Sequence, residues 1–237
     1  MPDYQIVGHR GAPRLAPENT LLSFRRAIDL GADWIEFDLH RTKDDEIVVI
    51  HDYTVDRTTN GKGKVRDMTF EELEGLDAGN GQRIPSLAEI IALARGKVGM
   101  DMEIKVRDIE EDVVDAIQRS DIGPDCMVSS FLYDAIKKVK EIDSGIMTAA
   151  ILGRMPEDPR EFLDMLLLDV KADIVMLSKR IATPVFVGQI RRQDLRVGIW
   201  NADTPEEIEK FAAMDPYYLC SNYPDRLVEF KQVHLTA

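Results

Sequence analysis

The sequence predicts an α/β fold, a TIM (β/α)8 barrel with a small insertion after the second strand. Three observations point there. Apolar runs short enough for strands alternate with stretches that repeat at helical spacing. Setting aside one return arm, about eight of these runs read as parallel strands, the number such a barrel needs. The length, 237 residues, is also right for it. An open doubly wound sheet is the competing architecture, but no Gly-x-Gly-x-x-Gly follows any of the runs.

Gln5-Ile6-Val7-Gly8 reads as a strand ending at His9-Arg10-Gly11-Ala12. Leu21, Phe24 and Ile28 then recur at helical spacing, with Asn19 or Thr20 as cap and Gly31 as stop. In the next strand, Trp34 to Leu39, residues two apart share a face. Glu36 and Asp38 therefore point one way and Ile35, Phe37 and Leu39 the other. About seven polar residues separate this strand from Ile47-Val48-Val49-Ile50, whereas a parallel crossover needs about a dozen. The pair is expected to form a hairpin that returns His51 toward Asp38.

Residues from about 40 to 85 are read as that hairpin plus a small insertion over the strand ends. The insertion has a turn-rich stretch, Thr58 to Gly63, and one short helix opened by a Thr69–Glu72 capping box. Residues 1–237 are taken as a single domain.

The alternation then runs steadily. A Ser86–Glu89 capping box opens a helix that Gly96 stops, and Gly99 to Lys105 is a strand. Asp108 is expected to cap the helix bearing Ile109, Val113 and Ile117. Met127 to Ser130 and Met147 to Leu152 are strands around a helix with Leu132, Ile136 and Val139. Asp158-Pro159, Thr183-Pro184 and Thr204-Pro205 each place a cap before a proline, opening three more helices. Between and after them lie strands at Ile174 to Leu177, Val197 to Trp200 and Tyr218 to Ser221, before a last helix from about Pro224.

A formal net charge of -13 argues against nucleic acid or an anionic membrane as partner, since both select clustered Lys and Arg. It does not exclude a small phosphate ester, because a divalent cation inverts the local field. Cys126 and Cys220 are far apart in apolar company and read as buried free thiols. No basic, apolar leader and no run of about 18 apolar residues is visible, so a soluble, cytoplasmic protein is expected.

In a barrel of this kind the chemistry sits at the carboxyl ends of the strands. Those ends carry His9 and Arg10, Glu36 and Asp38, His51, and Glu103 with Lys105. Converging carboxylates without thiolate select a hard cation, Mg²⁺, Ca²⁺ or Mn²⁺, over zinc. His9 and His51 stay free to move protons, one as base and one as acid. Arg10 and Lys105 can donate to phosphate oxygens. Each group has a plainer reading: Glu36 and Asp38 paired with core arginines, or Lys105 tied to Glu103. His40 and His234 are read as structural. The joint occurrence at successive strand ends favours the site.

These residues resemble a known family. His9-Arg10-Gly11, Glu18-Asn19-Thr20, Glu36-Phe37-Asp38, His51-Asp52, Arg57-Thr58-Thr59, Gly61-Lys62-Gly63 and Glu103-Ile104-Lys105 are similar to the motifs of glycerophosphodiester phosphodiesterases. The resemblance implies metal-dependent hydrolysis of a small-molecule glycerophosphodiester to glycerol 3-phosphate and an alcohol. Glu36, Asp38 and Glu103 would hold Mg²⁺ or Ca²⁺, His9 and His51 would be the acid-base pair, and Arg10 and Lys105 the phosphate contacts. Glu18 and Asn19 would support the cluster, and Trp200 would offer a platform for the glycerol carbons or simply fill the barrel. The implied mechanism has the glycerol 2-hydroxyl attack phosphorus to give a cyclic phosphate that water opens. The resemblance departs at Asn201-Ala202-Asp203, where Thr-Val-Asn is usual, and at Ser221-Asn222, where Thr-Asp is usual. The alternatives are lysophospholipase D-type activity, with Phe131, Leu132 and Met155 as an acyl-chain rim, and a barrel that binds phosphate ligands without catalysis.

Overall fold

In the computed structural model, which describes residues 4–235, the apolar runs become strands that close on themselves. β1 (Gln5–His9) lies parallel to β2 (Trp34–Arg41) on one side and to the last strand, β9 (Tyr218–Ser221), on the other. β3 (Ile47–Val49) folds back antiparallel on the end of β2, opposite Leu39 to Arg41, and stays outside the closed ring. The ring is completed by β4 (Gly99–Ile104), β5 (Cys126–Ser130), β6 (Met147–Leu152), β7 (Ile174–Ser178) and β8 (Arg196–Trp200), each parallel to the next.

The crossover helices are α1 (Leu21–Asp29) after β1, α3 (Leu87–Ala94) before β4 and α4 (Glu110–Ser120) after it. They continue with α5 (Tyr133–Ile142), α6 (Pro159–Met165), α7 (Pro184–Arg191), α8 (Pro205–Ala212) and α9 (Pro224–Leu235). Thr20, Ser86, Asp158, Thr183 and Thr204 each accept a hydrogen bond from the first turn they cap. Asp108 does not. It takes a left-handed φ of 65°, and Ile109, drawn fully into the core, occupies the cap position of α4 without a side-chain bond.

Strand alternation separates two apolar layers. Outward residues such as Ile35, Phe37 and Leu39 of β2 pack beneath the helices with Phe24, Ile90 and Val113. Inward residues, among them Val7, Met127, Ile174 and Tyr218, fill the barrel's interior together with Trp34. Room for Trp34 comes from Gly99 on the neighbouring strand, where any Cβ would run into the indole ring.

The insertion has a small core of its own. Val48, Ile50, Val55, Val65, Leu73 and Ile84 are buried together, with Met68, Phe70 and Leu76 against them. Fully burying one such aliphatic side chain is worth about 2 kcal/mol, enough for a few of them to hold a short segment in place. Its helix α2 (Phe70–Glu74) has the complete Thr69–Glu72 capping box. No helix among the described residues is long and apolar enough to cross a membrane.

Candidate active site

β2 and β4 are in register so that Asp38 faces Glu103 and Glu36 faces Asp101. The alternation that buries Phe37 outward turns all four acids into the barrel. One oxygen from each of Glu36, Asp38 and Glu103 lies within 4.8 Å of the others. Their exposures are 5%, 1% and 8%, so water does little to screen them. Glu36 Oε1 is buried without a hydrogen-bond partner, and so is Asp38 Oδ1, although Lys105 Nζ is 3.4 Å away.

This crowding shows in the proton affinities. Burial, then Asp38 and Glu103, push the Glu36 carboxyl well above its usual range. Burial and Asp38 raise Glu103 to about 7, and burial raises Asp101 to about 7 despite a 2.6 Å hydrogen bond from Ser129 Oγ. Burial works the same way on Asp38, but Lys105 and Arg10 outweigh it and hold that carboxyl below its usual range. A cluster of this kind is costly unless it binds protons or a cation.

The donors that surround it come from β1 and from the loop after it. Arg10 adopts a left-handed φ of 54°, which aims its backbone N–H at Glu36 Oε2, 2.8 Å away. Its guanidinium bonds Glu18 at 2.8 Å and lies 3.5 Å from Asp38. Asn19, also left-handed, donates from Nδ2 to Asp38 Oδ2 at 2.7 Å. Lys105 Nζ donates to Glu103 at 2.7 Å.

His9 ends β1 with Nε2 at 3.9 Å from Glu36 and Nδ1 at 2.7 Å from Asn222 Oδ1. Burial and the Arg10 charge lower its pKa to about 4. His51 follows β3, and its Nδ1 lies 2.6 Å from Asp52 Oδ1. Arg57 donates to both Asp52 oxygens and to both Glu18 oxygens, so a continuous run of charged contacts leads from His51 back to Arg10.

His9, Arg10, Glu36, His51, Glu103 and Lys105 all line one cavity of about 160 Å³. Its other wall is apolar, built from Phe131, Ile151, Met176 and Trp200. The Trp200 indole is fixed by a 3.1 Å bond from Nε1 to the Met176 carbonyl, and Phe131 meets it edge-on at 6.0 Å. Cys220 also reaches the cavity, where burial and Glu36 keep it a neutral thiol. A larger hollow of about 420 Å³ lies beside the insertion, lined by Arg41, Tyr53, Lys64 and Arg107, but it lacks the acidic cluster.

The structure thus brings the sequence-derived groups together: Glu36, Glu103, both histidines, Arg10, Lys105 and Trp200 line the cavity, with Asp38, Glu18 and Asn19 just behind. His40 is buried outside it, its Nε2 3.2 Å from the His51 carbonyl. Phe131 and Met155 are exposed, whereas Leu132 packs against the core. Sequence reasoning assigned no role to Asp52 and Arg57, though His51-Asp52 adjacency was a usable signal. It also passed over Asp101, and marked Asn201, Asp203 and Asn222 only as departures from the family pattern. Asn201 and Asn222 reach His9 from the far end of the chain, and Asp203 bonds Asn222 behind them.

Residues 9–226 match the model of the glycerophosphoryl diester phosphodiesterase family. The Bacillus subtilis (strain 168) protein YhdW, provisionally named a glycerophosphodiester phosphodiesterase, is 33% identical over 239 residues, covering 94% of this chain and 96% of its own. A glycerophosphodiester phosphodiesterase of Caldanaerobacter subterraneus subsp. tengcongensis is 43% identical over 150 residues, 58% of this chain and 62% of its own. Among solved structures, a glycerophosphodiester phosphodiesterase from Agrobacterium tumefaciens str. C58 superposes with a TM-score of 0.84 at 28% identity, covering 95% of this chain and 99% of that one.

Proposed function

The chain belongs to the glycerophosphoryl diester phosphodiesterase family and is an enzyme of that class; from this premise we propose that it hydrolyses glycerophosphodiesters to glycerol 3-phosphate and an alcohol. The observation that carries the reading is the buried cluster of Glu36, Asp38 and Glu103, with partnerless oxygens on the first two, at a cavity that both imidazoles line.

Glu36, Asp38 and Glu103 would hold a hard divalent cation, Mg²⁺ or Ca²⁺ with Mn²⁺ as a third candidate. The donor set fits: all-oxygen, buried, with orphaned lone pairs and no thiolate. When bound, such an ion neutralises charge on the phosphoryl oxygens. The chain's own groups do the rest. Arg10 and Lys105 face the cavity as fixed donors to the remaining phosphate oxygens. Trp200 and Phe131 give the carbon skeleton an apolar wall to lie against.

His9 is backed by neutral amides, so it suits the base that takes the proton from the attacking hydroxyl. His51 is backed by the Asp52 carboxylate, which stabilises an imidazolium and suits it to protonate the leaving alcohol. The attacking group we propose is the substrate's own glycerol 2-hydroxyl. An internal hydroxyl held beside phosphorus has a very high effective concentration, and the product is a cyclic phosphate that water then opens.

The test is a ³¹P NMR time course on glycerophosphocholine, glycerophosphoethanolamine and lysophosphatidylcholine, with and without chelator. Expected are glycerol 3-phosphate from the first two, a transient cyclic phosphate, silence in excess chelator, and recovery with Mg²⁺, Ca²⁺ or Mn²⁺. Turnover in excess chelator would remove the metal from the mechanism, and no turnover of any diester would leave a phosphate-binding barrel. The exposed Phe131 and Met155 favour a second reading, lysophospholipase D-type activity, which the lysophosphatidylcholine arm decides.

A further inference from the structure

The geometry points to Asp203 and Asn222 as positioning residues that fix which nitrogen of His9 carries its proton. Asn222 follows β9, the strand that pairs with β1, and Asp203 follows β8, the next strand round the ring. Asp203 is held rigidly: its backbone N–H donates to Glu207 at 3.0 Å, and its carbonyl accepts from Arg226 at 2.6 Å. Its carboxylate is ringed by donors. Oδ1 accepts from Ser221 Oγ at 3.0 Å and from the Asn222 backbone N–H at 2.9 Å. Oδ2 accepts from Asn222 Nδ2 at 2.7 Å.

That last bond has only one possible sense. A carboxylate cannot donate, so the nitrogen end of the Asn222 amide must face Asp203 and the oxygen end must face away. The oxygen lies 2.7 Å from His9 Nδ1. Nδ1 must therefore carry the hydrogen, which leaves the lone pair on Nε2, the nitrogen toward Glu36 and the cavity. Asn201 lies 2.9 Å from the same Nδ1, and the other end of its amide, Oδ1, is buried without a partner. Turned end for end, Asn201 presents that oxygen to the Nδ1–H as a second acceptor. A neutral histidine so held can accept a proton at Nε2 and at no other atom. The assignment rests on the reading of His9 as the base, and it adds two residues to it.

Exchanging the acid and the amide tests it. In Asp203→Asn, Oδ1 can still accept from Ser221 and from the Asn222 backbone. The new Nδ2 faces Asn222 Nδ2, so the Asn222 amide turns over and presents N–H to His9 Nδ1. The His9 proton then moves to Nε2. Expected is a fall in kcat of about 10- to 100-fold with KM little changed, since general-base catalysis is typically worth at least ~10². In the double variant Asp203→Asn/Asn222→Asp, the carboxylate introduced by the second change accepts both from the amide introduced by the first and from His9. The native tautomer returns, and kcat should recover to within several-fold of the parent.

The readout independent of turnover is the ¹⁵N shift pattern of the His9 ring. It should show Nδ1–H in the parent and the double variant, and Nε2–H in Asp203→Asn. Melting temperatures of all three report whether each variant is folded. A folded Asp203→Asn with parental kcat and unchanged ring shifts overturns the assignment, as does a double variant no better than the single. An inactive parent that shows Nδ1–H would instead count against the phosphodiesterase reading while leaving the tautomer assignment standing.

Discussion

Asp38 and Glu103 face each other as register partners across the β2–β4 ladder, and Lys105 Nζ touches both, at 3.4 Å and 2.7 Å. The lysine offsets only part of the charge gathered there, which includes Glu36 and Asp101.

Cation binding should therefore be linked to proton release. Without a cation, burial and the neighbouring carboxylates raise the proton affinity of Glu36 well above its usual range and bring Glu103 to about 7. The ion binds the ionised form, so affinity rises as pH climbs through 7 and falls below it. Calorimetric titration with Mg²⁺ or Mn²⁺ in buffers of different ionisation enthalpy should show protons leaving. Glu103→Gln should weaken binding at least tenfold. Binding that is independent of pH from 6 to 8 would contradict the cluster chemistry.

His9→Ala and His51→Ala should each abolish measurable turnover of glycerophosphocholine with the fold intact. Asp52→Asn should be milder, cutting kcat by about 10- to 100-fold, because the imidazole stays but loses the charge behind it. Steady-state kinetics alongside circular dichroism spectra separate these outcomes from misfolding. Normal rates in Asp52→Asn would free His51 from that partner.

The Arg57 fork predicts a particular acid sensitivity. Its hydrogen bonds hold Asp52 below the usual carboxylate range, and it acts with Arg10 to lower Glu18 against the opposing effect of burial. Carboxyls whose folded pKa is depressed contribute stability above their unfolded values, about 4, and lose it as pH falls through the folded ones. Thermal melts from pH 7 to 3 should thus drop more steeply below pH 4.5 for the parent than for Arg57→Met. Parallel curves would mean that the fork adds nothing to stability.

Gly99→Ala should destabilise the barrel by about 1–3 kcal/mol, as overpacking a close-fitted core does. Trp34→Leu in the same chain should recover part of that loss. Chemical denaturation of the two single variants and the double measures the coupling; simple additivity would show that the ring does not set the requirement for glycine.

Much of this site is legible from local pattern because its charged side chains come in pairs that are close in sequence. Glu36 and Asp38 sit two apart on one strand, and Glu103 and Lys105 repeat the arrangement on another, so strand alternation alone puts each pair on one face. Helix starts were equally readable from Ser86–Glu89, Thr183-Pro184 and Thr204-Pro205, since a cap acts within one turn. Asp108 misled because its neighbour Ile109 is claimed by the core, a tertiary demand that no local motif records. The surroundings of His9 were unreadable for a topological reason. Asn222 meets it across 213 residues, and only barrel closure between β1 and β9 makes them neighbours. Asn201 and Asn222, both within the stretches where the chain departs from the family resemblance, converge on that one ring, and Asp203 from the same stretches holds Asn222 in place.

Of the two imidazoles, only His9 grows directly from the closed ring of strands. His51 is carried by a three-residue arm and the small apolar knot beyond it. The two halves of the proposed proton-transfer pair thus rest on foundations of unequal strength. Warming should silence the enzyme before the barrel melts, as the outlying knot loosens and carries its imidazole away. Leu73→Ala, deep in that knot, should widen the gap between loss of activity and loss of fold.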